Sequence, residues 1–108
     1  MNSEFQIKHV NDDENGLELA IIGRIDASNF EDFFNAIRSE RDAHPQGVLT
    51  LDAGEMYYIS SAGLRSILAI VKDETEMICV SNLEADLFEL FDDAGFTDIM
   101  NVTSKEDA

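Results

Sequence analysis

The chain has 108 residues, 44% of them hydrophobic, and its 23 Asp and Glu against 7 Lys and Arg give a formal net charge of −16. This length and hydrophobic content predict a single domain over residues 1–108. The negative charge would repel nucleic-acid phosphates and anionic membrane surfaces, so we expect the protein to bind neither.

The cysteine content and the N-terminal sequence indicate the cellular compartment in which the protein is expected. Cys79 is the only cysteine, which excludes an internal disulfide and a thiolate metal site. The segment MNSEFQIKHV has no basic stretch followed by a long apolar run, and no segment is long enough to span a bilayer. We therefore expect a cytoplasmic protein.

The first half of the chain predicts a hairpin followed by a helix. Residues 5–9 alternate apolar and polar side chains, LELAIIG at 17–23 is an apolar run, and the turn-rich NDDENG separates the two. Ser28 and Glu31 have the spacing of a capping box and predict a helix that runs to about Asp42. Its apolar positions share one face: Phe30, Phe33, Phe34 and Ile37.

The middle of the chain predicts a buried strand that leads directly into a second helix. GVLTLDA at 47–53 has the composition of a buried strand. YYISSAGLRSIL at 57–68 then changes from a strand pattern to a helix pattern at Ser60 and Ser61. The apolar residues of this helix recur with helical spacing: Leu64, Ile67, Leu68 and Val71.

The last third predicts a strand, a third helix and a short final strand. EMICVSN has a strand composition, and Ser81 with Glu84 repeats the capping-box spacing ahead of an apolar helical pattern. Gly95 is placed to end that helix in a left-handed conformation. We expect a short strand around 98–102 and a frayed tail over about 104–108.

The predicted order is β-β-α-β-α-β-α-β. Helices that separate successive strands are typical of parallel pairing, whereas the initial hairpin is antiparallel. The sequence therefore predicts an α/β fold with a mixed four- to five-stranded sheet and helices packed against it.

The acidic and glycine motifs exclude two kinds of site. NDDENG resembles the start of a calcium loop, but Asn11 occupies the first position and Ile22 the twelfth, where glutamate is required. The chain has no GxxxxGK[ST] or GxGxxG motif, so we expect it to bind no nucleotide of its own. Asp and Glu are spread over the whole chain, which fits a solvated surface better than one metal site, and we expect no metal or other cofactor. Phosphate chemistry would have to be supplied by a partner.

The serine pair does not have the surroundings of a hydrolase nucleophile. No motif couples His9 or His44 to Ser61, and Ile59 stands where the GxSxG elbow needs its first glycine. We therefore expect that the protein is not an enzyme.

Two other roles remain open for these serines. A serine at a helix start can cap it by accepting a hydrogen bond from a free backbone N–H, which contributes about 1 kcal/mol. The same place suits a phosphate, because the free N–H groups and the helix dipole stabilise a dianion, and Gly63 would leave the backbone open to approach. A phosphoserine would add a charge of about −1.5 to −2 without unfolding the helix, as in a binding switch.

LDAGEMYYISSAGLRSIL at 51–68 resembles the central segment of the STAS-domain anti-sigma factor antagonists of bacteria, which typically runs LDLSG, a short spacer, then YISSAGLR or FMDSSGLG. GRIDASNF at 23–30 resembles the family's G-x-[IL]-D element, and LFELFDDAGFTDIMNV at 87–102 resembles its C-terminal helix, glycine and last strand. The resemblance covers essentially the whole chain and implies a STAS-like fold.

The resemblance implies a function and a set of site residues. The family's phosphorylated serine lies two residues before the glycine, at the position of Ser61. The unmodified protein would bind an anti-sigma factor with a GHKL-type ATPase fold and free its sigma factor. Phosphorylation by that partner would end binding, and a PP2C-type phosphatase would restore it. The implied contact residues are Asp26, Ser60, Ala62, Gly63, Leu64 and Arg65.

Three features of the sequence leave alternatives open. Ser60 stands where many members have aspartate, which makes Ser60 an alternative acceptor, and Arg65 replaces a common glycine. Asp52 could form turn hydrogen bonds at the strand end or contact the kinase. The alternative function is a STAS subunit that is never phosphorylated and acts as an adaptor in a scaffold or lipid-transport complex.

Self-association also remains open. Three consecutive residues could face the sheet interior or a partner: Met56, Tyr57 and Tyr58.

Overall fold

The computed structural model describes residues 4–107, in which strands and helices alternate along most of the chain. The strands form one five-stranded sheet. The strands lie side by side in chain order: β1 (Phe5–Asp13), β2 (Gly16–Ile25), β3 (Val48–Ile59), β4 (Cys79–Leu83) and β5 (Asn101–Ser104). β1 pairs antiparallel with β2, and every later pair is parallel. The predicted mixed sheet is confirmed, with five strands.

Three α-helices connect the parallel strands: α1 (Phe30–Ala43), α2 (Ser61–Asp73) and α3 (Ala85–Asp93). Short 3-10 turns follow at Phe96–Asp98 and Lys105–Asp107. The observed order confirms the predicted β-β-α-β-α-β-α-β sequence. No helix within residues 4–107 has the length and apolar composition needed to cross a membrane.

The core lies on one face of the sheet. Each crossover moves one strand further in the same direction, and right-handed crossovers then place every connecting helix on the same side. Burial alternates along β2 accordingly: Leu17, Leu19 and Ile21 are buried, whereas Glu18 and Ala20 are only partly covered. The helices contribute buried side chains to the same cluster: Phe33, Ile37, Ile67, Ile70, Leu87 and Phe91.

The first turn of α2 packs directly on the ends of β2 and β3. A Cβ atom at Gly63 would lie 2.6 Å from Ile59 Cγ1, 3.0 Å from Ile25 Cγ2 and 3.2 Å from the Ile25 carbonyl oxygen. Gly63 is buried. The expectation that it leaves the backbone open to an approaching phosphate is therefore wrong: its missing side chain is needed for helix packing.

Two predicted helix caps are wrong. Asn29 precedes α1, and Ser28 bonds to Asp26 instead of capping the helix. Ser81 lies inside β4, where it pairs with Asp52, so α3 begins only after Glu84. In both places a tertiary or loop hydrogen bond prevails over the local capping preference of serine.

The C-terminal part agrees with the sequence at Gly95 and differs after it. Gly95 has φ 84°, which confirms the left-handed helix end. The 3-10 turn Phe96–Asp98 then delays the last strand to Asn101–Ser104. The segment expected to fray, from about 104, contains the end of β5 and a further turn, and Lys105 pairs with Glu84 at 3.0 Å. Residue 108 lies outside the described residues.

Arg41 fixes the loop that follows α1. Its guanidinium donates to both carboxylate oxygens of Glu74, at 3.1 and 2.8 Å, in a bidentate pair whose side chains are only 12% and 9% exposed. It also donates to three carbonyl oxygens of the loop, those of His44, Gln46 and Gly47. One side chain thus ties α1 to the end of α2 and holds the intervening loop.

Replacing Gly63 by alanine tests the close packing. Helix propensity alone favours alanine over glycine by about 1 kcal/mol, but the new methyl group would overlap Ile59. We expect Gly63→Ala to lower the free energy of unfolding by about 1–3 kcal/mol, as overpacking does. Urea denaturation measures the change, with the exposed Ser61→Ala as a control. An unchanged or raised stability would contradict this packing.

Candidate functional site

The candidate site lies where β2 and β3 end side by side and α2 begins. Ile25 and Ile59 are paired across the two strands, and the Ser60 N–H donates to the Ile25 carbonyl at 2.9 Å. The β2–α1 loop, residues 26–29, therefore starts beside the first turn of α2. The carboxyl ends of parallel strands are the usual place for binding sites in α/β sheets.

The two serines have different roles in the helix start. Ser60 is the N-cap of α2, and its Oγ accepts a hydrogen bond from the Gly63 N–H at 3.2 Å. Ser61 is the first helical residue, its side chain is exposed, and its hydroxyl forms no hydrogen bond with any other residue in 4–107. The cap therefore occupies the Ser60 hydroxyl and leaves that of Ser61 accessible.

Asp26 organises the loop next to this helix start. Its Oδ1 accepts hydrogen bonds from the Ser28 N–H at 2.9 Å and the Ser28 hydroxyl at 2.6 Å. Its Oδ2 lies 3.0 Å from Arg24 Nη2. These contacts lower the pKa of the Asp26 carboxyl below its ordinary value of 3.8, the Ser28 hydrogen bonds contributing more than the Arg24 charge. Asp26 is therefore ionised at neutral pH.

Asn29 is a positioning residue that the sequence interpretation missed. It is 4% exposed, its Oδ1 accepts from the Asp26 N–H at 2.8 Å, and its Nδ2 donates to the Arg24 carbonyl at 3.0 Å. These two bonds close the loop and hold Asp26 at its start. The available signal was an asparagine directly before Phe30, because asparagine is a favoured residue before a helix.

The predicted contact residues differ in how far they are exposed to a partner. Arg65 is exposed, whereas Asp26, Ser60 and Leu64 are partly covered. Ala62 and Gly63 are buried beneath the helix start. The structure thus brings the sequence-predicted residues to one place, but Ala62 and Gly63 offer little surface for a partner.

A groove of about 510 Å³ between α1 and α2 adjoins the helix start. Its walls combine aromatic and polar side chains: Phe30, Glu31, Phe34, Asn35, Arg65, Ser66 and Ala69. Arg65 connects the groove to Ser61, because residues four apart are neighbours on a helix surface. Such a groove can receive an apolar side chain of a partner beside a charged contact.

Aromatic residues extend the exposed surface at the end of β3. Met56 is 1% exposed and belongs to the core, which settles the orientation that the sequence left open. Tyr57 and Tyr58 are 64% and 45% exposed, and the Arg24 guanidinium lies 5.2 Å from the centre of the Tyr58 ring. The site thus carries exposed aromatic side chains of the kind enriched at interfaces.

Asp52 forms the turn-type hydrogen bonds that were one of its two expected roles. Its Oδ1 accepts from the Gly54 N–H at 2.9 Å and from Asn82 Nδ2 at 3.1 Å. The second bond reaches from β3 to β4. Asp52 therefore helps hold these two strands together.

Both histidines lie toward the other end of the strands. His9 pairs with Leu19, six residues before the end of β2, which corresponds to about 20 Å along a strand. His44 approaches Asp12, one of the last residues of β1. Neither imidazole lies beside Ser61, so the structure brings no histidine base to this serine.

Three comparisons with known proteins bear on the fold. The family model described as the STAS domain matches residues 5–108. No curated protein matches the sequence. Among solved structures, the chain is similar to that of the anti-sigma factor antagonist SpoIIAA in its unphosphorylated form, with 13% sequence identity, 82% of this chain and 81% of that chain covered, and a TM-score of 0.59. At this identity the likeness concerns the fold.

Alanine substitution separates the two serines. Ser60→Ala removes the N-cap, so we expect it to lower the free energy of unfolding by about 1 kcal/mol, whereas Ser61→Ala should leave it nearly unchanged. Thermal or urea denaturation of both variants measures the difference. Equal losses in the two variants would show that Ser61 shares the capping role.

The lowered pKa of Asp26 gives a second prediction. Ser28→Ala removes the hydroxyl donor, so the pKa of Asp26 should rise toward its ordinary value while the Arg24 contact remains. Because the folded pKa is the lower one, the stabilisation by Asp26 is present above the unfolded pKa and is lost as the pH falls through the folded value. Carboxyl-carbon NMR titration measures the pKa of Asp26 in the unmodified chain and in the Ser28→Ala variant.

The exposed Ser39→Ala in α1 is the matched control for this titration. An Asp26 pKa that moves equally in both variants would contradict the assigned cause.

Proposed function

The chain belongs to the STAS domain family, and we propose that it is an anti-sigma factor antagonist. In its unmodified form it binds an anti-sigma factor and thereby frees a sigma factor. Phosphorylation of Ser61 ends that binding. We propose that the protein acts in the cytoplasm, by association rather than catalysis.

The observation that carries the proposal is the position of Ser61. Its hydroxyl is exposed in the first turn of α2 and bonded to no other described residue, beside a groove and exposed aromatic side chains. A kinase can reach this hydroxyl without disturbing the helix cap, which Ser60 supplies. Ser61 is therefore favoured over Ser60 as the acceptor.

The first turn of α2 can accommodate a phosphate. The Gly63 N–H is already bonded to the Ser60 hydroxyl, but the positive end of the helix dipole lies at this turn and favours a negative charge on the exposed Ser61 side chain. Arg65 stands one helical turn after Ser61, has no ion-pair partner within residues 4–107, and is within the usual spacing of a helical charge pair. A phosphorylated Ser61 would therefore leave α2 folded.

The effect of the phosphate falls on the partner. It adds a charge of about −1.5 to −2 to a surface already dominated by acidic residues, and it engages Arg65 at the groove edge. The phosphate replaces the neutral Ser61 hydroxyl and occupies the Arg65 guanidinium, so a partner that contacts both groups would no longer bind. Binding changes without a large conformational change in this protein.

The proposed partners are those that the resemblance to the STAS-domain anti-sigma factor antagonists implies. The sequence contains no nucleotide-binding motif, so the kinase would have to bind the ATP. We propose that this kinase is an anti-sigma factor with a GHKL-type ATPase fold. A PP2C-type phosphatase would remove the phosphate. The net charge of −16 predicts a basic partner surface and association that slows as salt is added.

Charge variants of Ser61 test the switch. Ser61→Asp should fold normally but bind the anti-sigma factor at least about tenfold more weakly than Ser61→Ala, because the contact would have to bury an ionised carboxylate that also engages Arg65. Titration calorimetry with the purified partner measures both affinities. Ser60→Asp is unsuitable as a control because it alters the cap, so the exposed Ser39→Asp serves instead. Equal affinities of the two Ser61 variants would contradict the switch.

Site mapping by mass spectrometry tests the acceptor. Protein isolated from its native cells under phosphatase inhibition should carry one phosphate, on Ser61, and Ser61→Ala should carry none. Phosphate on Ser60 would reassign the acceptor. A chain that remains unmodified in resting and stressed cells would favour the adaptor function over the phosphorylated switch.

A further inference from the structure

Two histidines and an aspartate converge beside the edge strand, remote from Ser61. His9 Nε2 lies 2.6 Å from Asp12 Oδ2, and His44 Nε2 lies 3.6 Å from the same oxygen. Each of the three side chains has a potential ligand atom within 4.8 Å of those of the other two. His44 is more than thirty positions from the other two in the sequence, so only the fold creates this cluster.

A β-bulge aims the two β1 side chains in one direction. Side chains three residues apart on a regular strand point to opposite faces, but the β1–β2 register shifts between His9 and Asn11. As a result His9 pairs with Leu19 and Asp12 with Leu17, and both leucines face the helices. Bulges commonly redirect side chains in this way.

The third ligand is carried by a loop that is already fixed. The Arg41 guanidinium donates to the His44 carbonyl at 3.0 Å and to Gln46 at 3.1 Å, while it pairs with Glu74. His44 Nδ1 lies 3.2 Å from the Glu40 carbonyl, an acceptor that selects the Nδ1–H form. Nε2 then carries the lone pair, on the side of the ring that approaches the Asp12 carboxylate. Metal-binding histidines characteristically donate their other ring N–H to an acceptor, as Nδ1 does here to the Glu40 carbonyl.

The ligand set selects among metals. Two imidazoles and one carboxylate suit Zn²⁺ and similar transition metals, whereas Ca²⁺ and Mg²⁺ prefer oxygen ligands alone. Zinc bonds of about 2.0–2.2 Å place ligand atoms about 3.3–3.5 Å apart in a tetrahedron. The distance of 3.6 Å from His44 Nε2 to Asp12 Oδ2 is close to this spacing, and a small rotation of the surface side chain of His9 would lengthen its 2.6 Å contact with Asp12.

We propose that His9, Asp12 and His44 form a binding site for a divalent transition metal, of which Zn²⁺ is the best fit. The ligand atoms would be Oδ2 of the aspartate and Nε2 of both imidazoles, which are the atoms already in contact. The acidic surface of the chain raises the local cation concentration around it. A depression of about 230 Å³ beside Asp12 and His44 leaves room for water in the remaining coordination position.

Metal binding here would join two parts of the fold. Asp12 lies on strand β1, which is at the edge of the sheet that residues 4–107 form, and His44 lies in the loop between α1 and β3. A bound ion would tie the end of the hairpin to that loop. The proposal is independent of the phosphorylation switch, because the cluster lies about 20 Å or more along the strands from Ser61.

Zinc titration of the untagged full chain tests the proposal. Calorimetry and competition with a chromophoric chelator, at neutral pH and physiological salt, should show one saturable Zn²⁺ site per chain that excess Mg²⁺ and Ca²⁺ do not displace. His44→Gln and Asp12→Asn should each lower the Zn²⁺ affinity by about tenfold or more, because even the loss of a residue that only hydrogen-bonds to a metal ligand commonly costs that much. Nitrogen NMR of the imidazoles should show both rings ligated through Nε2.

Neighbouring variants distinguish a built site from diffuse attraction. Asp13→Asn makes the same charge change one residue away, at a carboxylate that accepts from the Asn15 N–H, and should bind Zn²⁺ like the unmodified chain. Ser61→Ala should do the same. The ligand side chains are 35–41% exposed, so the variants should fold, which circular dichroism checks. Equal losses in Asp12→Asn and Asp13→Asn, or unchanged affinity in His44→Gln, would overturn the proposal.

Discussion

The close contact between the first turn of α2 and the paired ends of β2 and β3 determines the rest of the site. Only a residue without a side chain fits at Gly63, where a methyl group would overlap Ile59 and crowd Ile25. This contact fixes the helix on the sheet, lets the Ser60 N–H bond to the Ile25 carbonyl, and turns Ser61 outward. A helix seated further from the sheet would place neither serine where it is.

The scarce positive charges are largely used to hold elements together. Arg41 joins α1, α2 and the following loop through Glu74, and Arg38 pairs with Asp73 at 2.7 Å across the same two helices. Arg24 pairs with Asp26 beside the candidate site, while Arg65 has no such pair among the described residues. The remaining surface is strongly acidic. A phosphate on Ser61 could therefore pair with the exposed guanidinium of Arg65 and remove a positive charge that is otherwise available to a partner.

The two ends of the sheet offer different chemistry. At the carboxyl ends of β2 and β3, an accessible hydroxyl, an ionised Asp26 and a groove suit a protein partner. Toward the beginning of β2, the His9 and His44 rings lie 5.3 Å apart beside Asp12, which suits a cation. The two regions lie toward opposite ends of β2, so we expect a substitution in one to leave the other unaffected.

The sequence by itself determined the order of the elements, the mixed sheet and the positions of Ser60 and Ser61 at a helix start, because hydrophobic periodicity and glycine placement are local properties. It misassigned the caps at Ser28 and Ser81, where loop and strand hydrogen bonds outweigh a local preference. Only the tertiary structure decided which serine caps α2, that Gly63 is buried, and that His44 meets Asp12. The Ser60 N–H bonds to the Ile25 carbonyl, Gly63 packs on Ile25, and His44 lies beside Asp12. These contacts join segments distant in the chain, and no local pattern encodes them.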